Sequence, residues 1–154
     1  MVNAINSIYP VYQIVRSTSN SLVTCTTVLP ADDTIPQNDE GDEVITATIT
    51  PKSATSKLFI EFYGQFNIST TGRASFALFQ DSTAGALAAT GFRFGFNGVL
   101  HYFMTSGTTS STTFKIRCGP GSTETIYING NSGGTRVMGG VSLATLKITE
   151  FIDY

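Results

Sequence analysis

Residues 58–68 constrain this chain more than any other stretch. Leu58, Ile60, Phe62, Phe66 and Ile68 fall on one parity, and Phe59, Glu61, Tyr63, Gln65 and Asn67 on the other. Alternation with a period of two puts these sets on opposite sides of an extended strand. A helix would instead group residues three or four apart, which this order scrambles. The same period returns downstream and upstream. Ile45, Ala47 and Ile49 oppose Thr46, Thr48 and Thr50. Phe92, Phe94 and Phe96 alternate with Arg93 and Gly95. Leu100, Tyr102 and Met104 alternate, and Phe114, Ile116 and Cys118 oppose Thr113, Lys115 and Arg117. Leu146 and Ile148 oppose Thr145, Lys147 and Thr149 near the end, within a strand expected over 141–152. Shorter strands are expected over 11–16, 24–29, 73–80 and 126–128.

Breakers separate these runs. Pro30, Pro51 and the Gly-Pro-Gly at 119–121 end strands, and 106–111 and 129–135 read as polar turns. Asn97-Gly98 is a strong two-residue hairpin signal, because both positions accept positive φ. Only 81–89 has helical character, and Gly85 argues against it. No repeat of 20–50 residues is present, which argues against solenoids and propellers. About ten strands at a spacing of eight to twelve residues predict an antiparallel sandwich or barrel.

Composition agrees. The 154 residues suit one domain. A chain of that length buries roughly two-thirds of its unfolded surface, so it needs neither metal nor disulfide to hold a core. Charged residues are 13%, about half the usual share of roughly 25%. Ser and Thr number 38 and take their place, which favours strands. The net charge is −2 and the nine basic residues are scattered along the chain, so nucleic acid is not an expected partner. No apolar run reaches membrane-spanning length. Residues 1–10 read as an arm or linker before a head domain at 11–154. They show no basic-then-apolar leader, which points to synthesis in the cytoplasm.

Candidate chemistry is sparse. His101 is the single histidine, so any Ser-His-Asp or Cys-His site would need it. It sits mid-strand with no motif beside it, and reads as a surface or interface residue. No nucleophile elbow, zinc motif or phosphate loop occurs. Cys25 and Cys118 read as two buried thiols, able to pair only if adjacent. The stretch 31–43 holds six of the eleven acidic residues. It reads as a solvated loop, since it lacks the calcium-ladder spacing. Phe59, Tyr63, Phe103 and Tyr127 lie on faces opposite the aliphatic sets. In a sandwich those faces look outward, and contiguous exposed rings mark an interface. The expectation is a subunit contact around a symmetry axis.

Four segments carry a family resemblance. They are DDTIPQNDEGDE at 32–43 with ITATITPKSATSKLFIEF just after it, ALFQDSTAGALAA at 77–89, TSGTTSSTTFKIRCG at 105–119 and GGVSLATLKITEF at 139–151. In this order they resemble phage and prophage tail-fibre and other virion proteins, over almost the whole chain. Modules of that kind are similar to the tumour-necrosis-factor and C1q-like jelly roll. The resemblance implies an all-β antiparallel jelly-roll sandwich and a homotrimeric, non-enzymatic head, without catalytic residues or cofactor. It also implies location in the virion, contact with other virion proteins, and binding of a host-surface receptor or glycan. Ser110, Asn129 and Asn131, in the polar turns 106–111 and 129–134, are the candidate ligand residues. A structural decoration or trimerisation module is the alternative, followed by a carbohydrate-active enzyme working through paired carboxylates.

Overall fold

The computed structural model describes residues 10–93 and 97–152. Among the described residues the alternating runs become ten strands: β1 (Val11–Ser19), β2 (Val23–Cys25), β3 (Asp42–Ile49), β4 (Lys57–Ile68), β5 (Arg73–Gln80), β6 (Ala88–Arg93), β7 (Asn97–Thr105), β8 (Thr112–Pro120), β9 (Ile126–Ile128) and β10 (Ala144–Phe151). They form two antiparallel sheets. One runs β1-β10-β4-β9-β2, with β7 also paired to β4; the other runs β3-β8-β5-β6. Sequence neighbours repeatedly sit in different sheets, and the result is the jelly-roll sandwich expected from the sequence.

The inner faces follow the predicted parity. Leu58, Ile60, Phe62, Phe66, Leu146 and Ile148 from one sheet meet Ile45, Ile49, Phe76, Leu78, Phe114 and Ile116 from the other. An aromatic knot fixes one part of this core. The Phe76 ring lies 5.5 Å from Phe62, 5.2 Å from Phe66 and 6.1 Å from Phe92, in tilted or edge-on pairs.

That knot explains the main departure from expectation. Asn97-Gly98 is not a hairpin turn: Asn97 pairs with Gln65 and Gly98 with Gly64 inside the β4–β7 ladder. The strand before it, β6, lies in the opposite sheet, paired to β5. Gly98 is there for space. A Cβ on it would fall 2.9 Å from the Phe76 ring, and one on Gly64 would fall 2.8 Å from Phe62. Two inward glycines side by side make the room that two phenyl rings fill. Phe94 and Phe96 lie outside the described residues.

Other boundaries moved less. The strand expected over 24–29 keeps only Val23–Cys25. Beyond it the chain leaves the ladder and drops Leu29 onto the outer side of the four-stranded sheet, against Ala77 and Phe79. The expected break at 119–121 comes later, since β8 runs through Pro120. Residues 81–87 are turns and bends rather than helix, opened by Asp81 at φ 51°. The C-terminal strand starts at Ala144, after a single 3-10 turn at Met138–Gly140. The expected arm lies outside the described residues except for Pro10, whose carbonyl accepts from Ile152 N at 2.9 Å.

Candidate functional site

Strand register builds a surface on the outside of the six-stranded sheet. Ile14 pairs with Thr149, Thr149 with Phe59, and Phe59 with Phe103. Ile14, Thr149, Phe59 and Phe103 therefore form one row across four strands. Two residues along lies the row Arg16, Lys147, Glu61 and His101, and beyond it Thr18, Thr145, Tyr63 and Val99. Two apolar rows thus flank one charged row. Ile14 is 59% exposed, Phe103 53%, Tyr63 49% and Val99 48%. These side chains make a contiguous exposed apolar surface, the kind of surface that can serve as an interface.

Local contacts order the face. The Phe59 ring stands 6.3 Å from Phe103 and 6.1 Å from His101. Tyr63 donates its phenol hydrogen to Asn97 Oδ1 at 2.9 Å. Lys147 and Glu61 form an ion pair of 2.5 Å with both side chains over a third exposed, so it orders the row more than it stabilises the fold. A shallow hollow of about 310 Å³ opens between Phe59, Glu61, Tyr63, Val99, His101 and Lys147.

Of the four rings singled out in the sequence, three come together here. Phe59, Tyr63 and Phe103 are neighbours. Tyr127 shares the face but stands farther along β4, opposite Asn67 and four residues beyond Tyr63. Gly134 lies close to its ring: a Cβ added there would fall 3.0 Å from it. Sequence reading passed over Ile14 and Val99, although the parity of Leu100 and Tyr102 already assigns Val99 and His101 to the Phe103 side.

The candidate ligand residues do not converge. The 106–111 turn follows Thr105, which pairs with Lys57, and the 129–134 turn follows Ile128, which pairs with Phe66. Nine residues of β4 separate them, roughly 30 Å along a strand. Asn129 is buried, with φ 58°. Its amide donates to the carbonyls of Ser19 and Ser21 at 3.0 and 3.1 Å, and its Oδ1 accepts from Ser142 Oγ. It clamps loops together rather than facing a ligand. Asn131 Oδ1 accepts from the N–H groups of Gly133 and Thr135, ordering its own turn. Ser110 is exposed at the opposite end.

The acidic stretch is a network of loop ties. Asp42 would be raised by burial, but the Thr26 and Thr27 N–H groups and the Thr27 hydroxyl, at 2.7–2.9 Å, outweigh that and hold it below the usual carboxylate range. Asp32 is held low by the Thr34 hydroxyl and N–H. Glu40 Oε2 accepts from Gln37 N. Arg117 donates to the carbonyls of Glu40 and Gly41. Among the described residues no three of His, Cys, Asp and Glu gather as a metal set. Cys25 and Cys118 are both free and buried, and lie near enough to interact. Burial first, then Cys25 and Asp42, pushes the Cys118 thiol well up.

The sequence offered no sign of one further group, a fully buried carboxylate. Glu150 has no exposed surface. It accepts from Lys52 N at 2.8 Å, Ser56 Oγ at 2.6 Å and Gln13 Nε2 at 2.6 Å. Burial would raise it, yet these donors together hold it below the ordinary range.

Comparison with known proteins finds only remote structural likeness. No protein-family model matches the chain, and no curated protein matches it in sequence. Among solved structures it is similar to the Eiger TNF of S. frugiperda, at 8% identity over 92% of this chain and 93% of that one, TM-score 0.46. It is similar to dimeric latent PorU of Porphyromonas gingivalis at 10% identity, covering 91% of this chain and 13% of that one, TM-score 0.42. It is also similar to Cowpea mosaic virus empty particles at 8% identity over 99% and 90%, TM-score 0.33.

Proposed function

We propose that this chain is a non-enzymatic, trimeric head domain of a virion, of the phage tail-fibre kind, that binds a host-surface receptor or glycan. The observation that carries assembly is the bare face of the six-stranded sheet, where Ile14, Phe59, Phe103, Tyr63 and Val99 stand around one charged row. Each Å² of apolar surface covered is worth roughly 25 cal/mol. The threefold number and the virion setting follow from the sequence resemblance. A non-catalytic role is supported by the placement of His101. It looks outward from β7 while Cys25 and Cys118 lie in the core behind the sheet, so imidazole and thiols are on opposite sides.

Light scattering coupled to size exclusion tests assembly. The expected mass is near three times 16.4 kDa; a monomer at micromolar concentration refutes it. A purely structural module would give the same trimer, because the bare face needs no receptor. Whole-cell binding separates the two: a trimer that leaves host cells undecorated is structural.

A further inference from the structure

Two arginines that the sequence holds far apart are brought face to face. Arg73 opens β5, Arg93 closes β6, and they are direct partners in the ladder. Residues opposite one another in an antiparallel pair have Cβ atoms about 5 Å apart, and like charges there destabilise. Both side chains are exposed, and among the described residues neither guanidinium has a hydrogen-bond or ion-pair partner. Two carboxylates line the place, Asp32 and Glu124, and one oxygen of each is held by its own loop. Asp32 accepts from Thr34, and Glu124 accepts from the Ser122 N–H and hydroxyl. The two positive charges lack a counter-ion.

Beside them the sheet is notched. Ser75 faces Gly91, and Ala77 faces Ala89, on the same side as the arginines. With no side chain on Gly91, the floor stays low. Ser75 is only 5% exposed, and its hydroxyl is the one buried side-chain polar atom among the described residues without a hydrogen-bond partner. A buried hydroxyl left unpaired is costly and calls for an explanation. The 31–36 loop borders the far side through Ala31, Asp32, Thr34 and Pro36, leaving an open, shallow hollow of about 350 Å³. A second hollow of about 310 Å³ continues past the arginines to Ser122 and Glu124. These volumes are of the size that holds a small ligand.

We propose that this groove, between the 31–36 loop and the β5–β6 ladder, binds an acidic sugar whose oxyanion lies between Arg73 and Arg93. The ring lies over Gly91, where one hydroxyl meets Ser75 Oγ and others meet the Asp32 or Glu124 carboxylates. A planar guanidinium pair suits a carboxylate or a phosphate by bidentate hydrogen bonds, while carboxylates on the rim suit sugar hydroxyls. The groove lies on the four-stranded sheet, away from the face assigned to assembly. The biological source of the sugar rests on the receptor-binding reading; the site itself does not.

Calorimetric titration of the full chain tests this with glucuronate, glucose 6-phosphate, glucose and inorganic phosphate. At least one sugar acid should bind, and glucose should not. Binding should fall at least tenfold in R73Q and in R93Q, and a few-fold in S75A. Stronger binding of glucuronate would point to a uronate polysaccharide as source, and of the sugar phosphate to a phosphorylated surface glycan. Arg93 is exposed on an edge strand, so R93Q should keep its thermal midpoint and remain interpretable. The proposal falls if neither sugar acid binds, if R93Q binds as the parent does, or if inorganic phosphate matches the sugar acids and S75A changes nothing. Cell binding reads the other question. Cells bound without sugar-acid binding would sink the groove and keep the receptor; sugar acids bound with no cell binding would do the reverse.

Discussion

The two sheets of this sandwich present their outer faces differently. On the four-stranded sheet the chain covers itself: Leu29 is laid on Ala77 and Phe79, and all three are fully buried. The cover is pinned. Leu29 N donates to Pro120 O at 3.0 Å, Asp42 accepts from Thr26 and Thr27, and Arg117 holds the carbonyls of Glu40 and Gly41. On the six-stranded sheet Phe103, Tyr63, Val99 and Ile14 are about half exposed. The residue chemistry is similar; what differs is whether a loop from the same chain arrives. A face closed by its own loop is part of the fold, and one left open is available to another molecule.

Substitutions should affect the two faces unequally, and the largest effect is expected on the covered side. Phe79→Ala should cost about 3–5 kcal/mol, as for other fully buried phenyl rings, read by denaturant unfolding. Phe103→Ala on the bare side should leave unfolding of the isolated subunit within about 0.5 kcal/mol. Equal losses would mean that the two faces are not distinct.

The loop ties and Glu150 predict how stability depends on pH. Asp42 and Glu150 are both held below their ordinary values in the folded chain. Each therefore stabilises the fold above its unfolded pKa, near 4. That contribution is lost as pH falls through the lowered folded value. Stability should be flat near neutrality and decline below about pH 4. Glu150→Gln places an amide N–H among three donors, and should cost about 1.5–3 kcal/mol at pH 7. Its acid decline should be shallower than the parent's; an unchanged acid limb would show that Glu150 does not carry the dependence.

Gly98→Ala probes the packing of the core. The added methyl meets the Phe76 ring at 2.9 Å, and overpacking of this kind costs about 1–3 kcal/mol. A hairpin glycine with positive φ would fail for backbone reasons, whereas Gly98 sits in extended ladder pairing. Shrinking the ring in the double variant Gly98→Ala, Phe76→Leu should recover part of the loss; no recovery would return the position to backbone strain.

This glycine also shows what the sequence could and could not say. Parity is local, so it was legible: Leu58 to Ile68 and Phe114 to Cys118 lie as their alternation predicts. Which strand pairs with which is set by contacts distant in sequence. Asn97-Gly98 carries the same two letters in a turn and in a ladder, and only the rings across the core decide between them. The candidate site was half legible for the same reason. Parity placed Phe59, Tyr63 and Phe103 on one outer face with Tyr127, but pairing sets Tyr127 opposite Asn67, four residues of β4 beyond Tyr63. Ser110 and Asn131 look alike as polar turn residues, yet topology sends them to opposite ends. Glu150 was invisible, since its donors come from Gln13, Lys52 and Ser56. Arg73 and Arg93 meet only because β5 and β6 pair.

The smallest effect on stability is expected where the effect on assembly is greatest. Phe103→Asp puts a carboxylate on β7 beside Phe59 and two residues from His101, with water still on one side. In the lone subunit the change is a surface substitution, worth within about 0.5 kcal/mol. Packed against a second copy, the same carboxylate would be stripped of water and left unpaired, which costs several kcal/mol. The variant should therefore fold normally by circular dichroism and elute with a mass near 16.4 kDa rather than a multiple of it. If it still assembles like the parent, Phe103 is outside the contact, and assembly must use a surface other than the bare sheet. Exposed Met138, Val141 and Leu143, before β10, would then be the next apolar candidates.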